Sequence, residues 1–233
     1  MSSNNIKAII FDMDGVMFNT EVLYEEAFAN VANQWGYESE VNEKFIKSFK
    51  GKRKDIIKQM YKELLDEVSI QRTGKEFDAD EHMKQVLDYL DNYIKNNGMP
   101  IKNGLIELLD YCRLKNIKVA IGTSERNERV KFYLNKANID INTFDAIICG
   151  DMVKNGKPAP DIYLKACEAI HVNPENAIVC EDAPNGIMAA FSAGTKPVMV
   201  VDLIEPTDEI IKMLFVNPLS SLLEVKELLS HEL

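Results

Sequence analysis

Four short stretches of the chain carry residue types that could handle phosphate. Asp12-Met13-Asp14-Gly15-Val16 sets two carboxylates close together straight after an apolar run, Thr123-Ser124 offers two hydroxyls, Lys157-Pro158 an ammonium, and Glu181-Asp182 a second pair of acids. Taken singly, each has an ordinary structural use. An aspartate pair closes a turn or caps a helix, Thr123-Ser124 and Glu181-Asp182 suit capping, and Lys157-Pro158 suits a solvated loop ahead of a helix. Gathered in one crevice they mean something else. Acids at Asp12, Asp14, Glu181 and Asp182 would repel one another unless a hard cation sat among them, and oxygen ligands at that density suit Mg²⁺. Hydroxyls just before a helix, with its free backbone N–H groups, can hold anionic oxygens, and Lys157 would add a compensating point charge.

The elements that would bring these stretches together alternate between strand and helix. Ile6 to Phe11 is a short apolar run of the kind a central strand needs. From about Glu21 to Lys95 no such run occurs, and amphipathic helical segments fill the interval at Val22 to Trp35, Lys54 to Leu65 and Asp80 to Ile94. After Asn96-Asn97-Gly98-Met99-Pro100 the alternation resumes. Strands are predicted at Lys118 to Ile121, Ala146 to Cys149, Ala177 to Cys180 and Pro197 to Val201, separated by helices near 105–114, 128–136, 162–170 and 186–193 and followed by one near 219–229. This pattern predicts an α/β fold: a Rossmann-like, doubly wound parallel sheet core, residues 1–16 and 98–233, interrupted by an all-α helical cap at 17–97. In such a sheet the loops at the carboxyl ends of the strands share one edge, so residues distant in sequence meet there. All four chemical stretches follow predicted strands.

Composition narrows the partners. A formal net charge of −10 over 233 residues leaves no basic face to dominate the long-range field, so neither nucleic acid nor an anionic membrane is an expected partner. Met1 to Asn5 is polar rather than a cationic leader, and no apolar run spans a bilayer, so a cytoplasmic protein is expected. Cys112, Cys149, Cys167 and Cys180 lie far apart in apolar surroundings without metal-ligand spacing, which suits buried, reduced thiols. The dispersed His82, His171 and His231 support neither a zinc site nor a catalytic triad.

In order and spacing, Asp12-Met13-Asp14-Gly15-Val16, Thr123-Ser124, Lys157-Pro158-Ala159-Pro160-Asp161-Ile162-Tyr163 and Glu181-Asp182-Ala183-Pro184-Asn185-Gly186 resemble the motifs of the haloacid dehalogenase-like phosphatases. The similarity is to the branch holding β-phosphoglucomutase and small sugar-phosphate phosphatases, and it covers nearly the whole chain. It implies a phosphatase acting on a small phosphorylated metabolite with Mg²⁺, as a monomer. Asp12 would be the nucleophile that forms an aspartyl phosphate and Asp14 the general acid and base, its backbone carbonyl also holding the metal. Asp12 and Asp182 would supply carboxylate ligands, with Glu181 as ligand or supporting partner. Thr123, the Ser124 backbone, Asn127 and Lys157 would contact the phosphoryl oxygens.

The helical insert resembles the cap of that family, with hinges near Met17 to Thr20 and Asn96 to Asn103. Its candidate substrate contacts are Thr20 and, in Lys50-Gly51-Lys52-Arg53-Lys54-Asp55, Gly51, Arg53 and Lys54; as a bare charge run the latter also suits a solvated helix start. Two departures favour hydrolysis over the mutase reaction, which stays the alternative. Tyr24 stands where the mutase has a cap histidine, and Tyr89 falls about where it has a cap lysine. Asn19 stands where many relatives carry aspartate, leaving the catalytic aspartates untouched. A non-catalytic binding module is a further alternative, although Asp12, Asp14 and Lys157 are all retained.

Overall fold

The computed structural model describes residues 6–49 and 54–232. In chain order the elements are β1 (Ala8–Phe11), α1 (Thr20–Gln34), α2 (Glu43–Lys47), α3 (Lys54–Thr73), α4 (Ala79–Asn97), α5 (Leu105–Lys115), β2 (Lys118–Gly122), α6 (Asn127–Lys136), β3 (Ala146–Ile148), α7 (Asp161–Ala169), β4 (Ala177–Glu181), α8 (Pro184–Ser192), β5 (Lys196–Met199), α9 (Asp208–Ile211) and α10 (Leu222–Glu232).

The strands form a parallel sheet in the order β3-β2-β1-β4-β5, with Phe11 in register with Ile121 on one side and Cys180 on the other. β1, and β4 up to its last residue Glu181, read as unbroken apolar runs because both faces of the sheet are covered. Ala8, Ile10, Ala120, Ala177 and Val179 face α7 and α8, packing against Ile162, Tyr163, Ala166, Ala189 and Ala190. Alternation sends Ile9, Phe11, Ile121, Ile178 and Cys180 to the other face, where they are also buried, with α5 packed on β2 and α10 on α5. The chain winds outward from β1 to β3 and then returns to place β4 beside β1. The strand order therefore reverses between β1 and β4, which is where such sheets open a ligand crevice at their carboxyl edge.

The chain divides into two compact units, one formed by Met1–Asn19 and Met99–Leu233, the other by Thr20–Gly98. Both crossings fall slightly later than the sequence boundaries of 17 and 97. The reason is backbone pairing: Phe18 forms an antiparallel bridge with Ile101, and the Asn19 N–H donates to the Pro100 carbonyl at 2.9 Å. These bonds tie residues 18 and 19 to the sheet-bearing unit.

Within the helical unit, α1, α3 and α4 pack around Phe28, Val31, Tyr61, Leu65, Phe77, Met83 and Val86. His82 on α4 is buried in this cluster, its ring 4.5 Å from that of Tyr61 and 5.3 Å from those of Trp35 and Phe77. Burial among these rings holds the imidazole neutral and lowers its pKa to about 4. The helices α2 and α9 are each too short to show a period in the sequence. All four cysteines are buried and unpaired. Among the described residues no helix is long and apolar enough to cross a membrane.

Candidate active site

The chemical residues of the sheet-bearing unit sit just past the strands that carry them. Asp12 continues β1 by one residue, its N–H donating to the Cys180 carbonyl at 2.9 Å, and is buried at 8% exposure. The loop then folds back on itself. Met17 and Phe18 N–H groups donate to the Met13 carbonyl, and Gly15 N–H donates to that of Phe18 at 3.0 Å. Gly15 is required twice over: its φ is +77°, and a Cβ there would overlap the Asp182 carboxylate.

Lys157, joined to Pro158 by a cis peptide, bridges two of the acids. Its Nζ lies 2.5 Å from Asp12 Oδ1 and 2.6 Å from Glu181 Oε1. Burial pushes the Asp12 carboxyl up to about 7, against the pull of Lys157, and the Glu181 carboxylate adds to the rise. Burial draws the Lys157 ammonium down, but its two carboxylate neighbours outweigh this and hold it above its ordinary range.

Glu181 ends β4 at 1% exposure and is satisfied on both oxygens. Oε1 accepts from Lys157 and from the Tyr163 hydroxyl at 2.6 Å; Oε2 accepts from the Asp182 and Ala183 N–H groups at 3.1 and 3.2 Å. Gly186 leaves room for this carboxylate, since a Cβ there would collide with it. Glu181 thus anchors the loop entering α8, where Ala183, the residue just before the helix, supplies no side-chain cap. Asp12, Glu181 and Asp182 each offer a carboxylate oxygen within 4.8 Å of the others, a donor set that could hold a metal ion. The Asp14 carboxylate is not in that group.

After β2, Thr123 is buried and its N–H donates to the Ile148 carbonyl at 3.0 Å, while its hydroxyl accepts from the Glu125 N–H at 3.1 Å. Thr123 and Ser124 do not cap α6. That helix starts at Asn127 behind Arg126, which makes no capping bond through its side chain; with the Arg129 N–H donating to the Arg126 carbonyl, the Asn127 and Glu128 N–H groups are the ones left for an anion. Ser124 is exposed and Asn127 half-buried.

The sequence pattern of the haloacid dehalogenase-like hydrolases matches residues 9–200. The chain belongs to that family. A phosphorylated carbohydrates phosphatase of Thermotoga maritima is 35% identical over 191 residues, 81% of this chain and 82% of that protein. A (DL)-glycerol-3-phosphatase of Arabidopsis thaliana is 30% identical, over 85% of this chain and 80% of its own length. Among solved structures, a β-phosphoglucomutase of Clostridium difficile is 27% identical and superposes with a TM-score of 0.69, covering 97% of this chain and 96% of that one. These relatives place the chain on the family's phosphatase and phosphoglucomutase branch.

Against this family background, the sheet-bearing unit brings Asp12, Lys157, Glu181 and Asp182 together, with Thr123, Ser124 and Asn127 following the neighbouring strand. The cap-side candidates belong to the other unit. Gly51 and Arg53 lie outside the described residues, as does the side chain of Lys54, which opens α3. Thr20 is fully buried at the start of α1, and its hydroxyl has no hydrogen-bond partner among the described residues. Tyr163 was not singled out from the sequence, where it reads as one apolar position of α7. Its neighbour Lys157, whose Nζ lies 5.0 Å from the Tyr163 ring centroid, was the signal nearest to it.

Proposed function

We propose that the chain is a Mg²⁺-dependent phosphatase that hydrolyses a small phosphorylated metabolite, a sugar phosphate foremost, through an aspartyl phosphate on Asp12. The observation that carries this reading is one buried carboxylate, Asp12, held between the Lys157 ammonium and a second acid group at the crevice edge of a parallel sheet. The donor set suits a hard dication: three carboxylates converge, and Gly15 leaves Asp182 the space that a side chain would fill. Asp12, Asp182 and the Asp14 backbone carbonyl would hold Mg²⁺, with Glu181 as a ligand or as the group that orients them. When bound, the ion offsets the charge on the acids and on the phosphoryl oxygens.

A carboxylate oxygen of Asp12 attacks phosphorus in line, and the bond from phosphorus to the substrate oxygen breaks. Asp14 donates a proton to that leaving alkoxide. It then takes a proton from the water that attacks the aspartyl phosphate, releasing phosphate and restoring both aspartates. Lys157, Thr123, the Ser124 N–H and Asn127 stabilise charge on the transferring oxygens, where positioning and electrostatics do most of the work. Substrate reading falls to the segment containing Gly51, Arg53 and Lys54, because the Thr20 side chain is fully buried.

Hydrolysis is favoured over the mutase reaction by what occupies the two cap positions. Tyr24 stacks on Phe28, and the Tyr89 hydroxyl donates to Glu26 at 2.8 Å, so neither position supplies an imidazole or an ammonium. The proposal includes a cytoplasmic, monomeric enzyme. A phosphate-release screen over sugar phosphates, glycerol phosphate, phosphoglycolate and nucleotides tests it, alongside a phosphoglucomutase assay. Release that EDTA abolishes and Mg²⁺ restores is the expected result; metal-independent turnover, or isomerisation without phosphate release, would reverse the reading.

A further inference from the structure

An ion pair outside the four phosphate-handling stretches joins two loops of the sheet-bearing unit. Lys102 Nζ lies 2.6 Å from Asp202 Oδ1, with the two side chains only 21% and 11% exposed. Asp202 Oδ2 is buried and has no hydrogen-bond partner among the described residues. A pair this far out of water is held more firmly than an exposed one, and removing one partner leaves the other charge uncompensated.

Each end of the pair is bonded toward the reacting groups. The Lys102 N–H donates to the Met17 carbonyl at 2.9 Å, Met17 N–H donates to the Met13 carbonyl at 2.9 Å, and Gly15 N–H closes the same loop onto Phe18. That loop carries Asp14. On the other side, Asp202 follows β5 shortly after Val200, whose N–H donates to the Glu181 carbonyl at 2.8 Å. Lys102 and Asp202 therefore connect the loop after β1 with the loop after β5, across the edge where Asp12, Glu181 and Asp182 converge.

We propose that Lys102 and Asp202 are positioning residues that clamp the 13–18 loop, and so set where Asp14 meets the leaving oxygen. They act through the Met17 carbonyl and touch no reacting atom. The kinetic consequence rests on the phosphatase reading; the mechanical one does not. Displacing a catalytic group slightly costs turnover rather than binding, so Lys102→Met and Asp202→Ala should each lower kcat about tenfold while KM stays within about twofold.

The experiment compares these variants with Lys102→Arg and the double variant, following phosphate release and amide hydrogen exchange in the full chain. Lys102→Arg should recover most of kcat, the double variant should be no slower than the slower single one, and exchange at Phe18 and Lys102 should quicken about tenfold in the disrupted variants. Unchanged kcat in Lys102→Met and Asp202→Ala, or no recovery by Lys102→Arg, overturns the positioning role. Should the unaltered chain release phosphate from no compound, the phosphatase reading fails by itself. Exchange rates then decide the clamp, and unchanged protection of Phe18 and Lys102 in Asp202→Ala overturns it.

Discussion

Lys157 and Glu181 meet at 2.6 Å between Nζ and Oε1, and the same ammonium reaches Asp12 at 2.5 Å, so one buried cation is shared by two buried carboxylates. Removing the cation leaves two carboxylates without compensation, whereas neutralising one carboxylate leaves the other paired with Lys157, so the effect should differ by member.

Asp12→Asn keeps the shape of the side chain but supplies no nucleophilic carboxylate. Phosphate release from the best substrate should fall by at least about a thousandfold. Circular dichroism should show an intact fold; retained turnover would exclude the aspartyl phosphate.

Lys157→Met strands Asp12 and Glu181 together in a buried site. Breaking a buried ion pair from one side costs about 3–5 kcal/mol. Thermal unfolding should therefore occur at a clearly lower temperature, with activity lost as well. A melting temperature equal to that of the parent would mean that solvent reaches these acids.

Tyr163→Phe deletes one donor to Glu181 Oε1 and leaves Lys157 and the Asp182 and Ala183 N–H groups in place. The loss should be about 1.5–3 kcal/mol, the worth of one hydrogen bond to a charged group, since Oε1 still accepts from Lys157, and smaller than that for Lys157→Met. Paired denaturant titrations would order the two, and the reverse order would deny Lys157 its central role.

His82 gives the helical unit an acid limit. Its pKa falls from 6.5 to about 4 on folding because burial disfavours the imidazolium. The unfolded chain therefore binds the proton first. Stability from the neutral ring is complete above pH 6.5 and is lost as the pH falls toward 4, by at most about 3 kcal/mol. Melting temperatures measured between pH 7 and pH 4 should drop less in His82→Phe than in the parent; parallel slopes would remove His82 as the cause.

Much of the fold can be read from the chain because burial on both faces leaves an unmistakable trace. Ala8–Phe11 and Ala177–Glu181 are apolar almost throughout, and the long helices α1, α3 and α4 repeat their apolar positions over several turns. The edges are less legible. Val200 lies past the end of β5 yet still donates to Glu181, so a strand predicted to reach residue 201 ends earlier by geometry without losing its partner there. The four acids and the lysine announce themselves by type and position after strands. Tyr163 and Asp202 do not, because their roles arise only when β4 is laid over α7 and β5 brings its following loop back toward Lys102. No local pattern encodes that proximity.

The antiparallel bridge between Phe18 and Ile101, with Asn19 bonded to Pro100, means that the chain leaves the sheet-bearing unit and re-enters it at nearly the same spot. An excursion that starts and finishes at one doorway can be shortened, lengthened or transplanted without shifting the register of any strand. Residues 20–98 are in this sense a replaceable cassette. The parallel sheet could host a different helical bundle, or a short turn, and still present Asp12 to the same crevice.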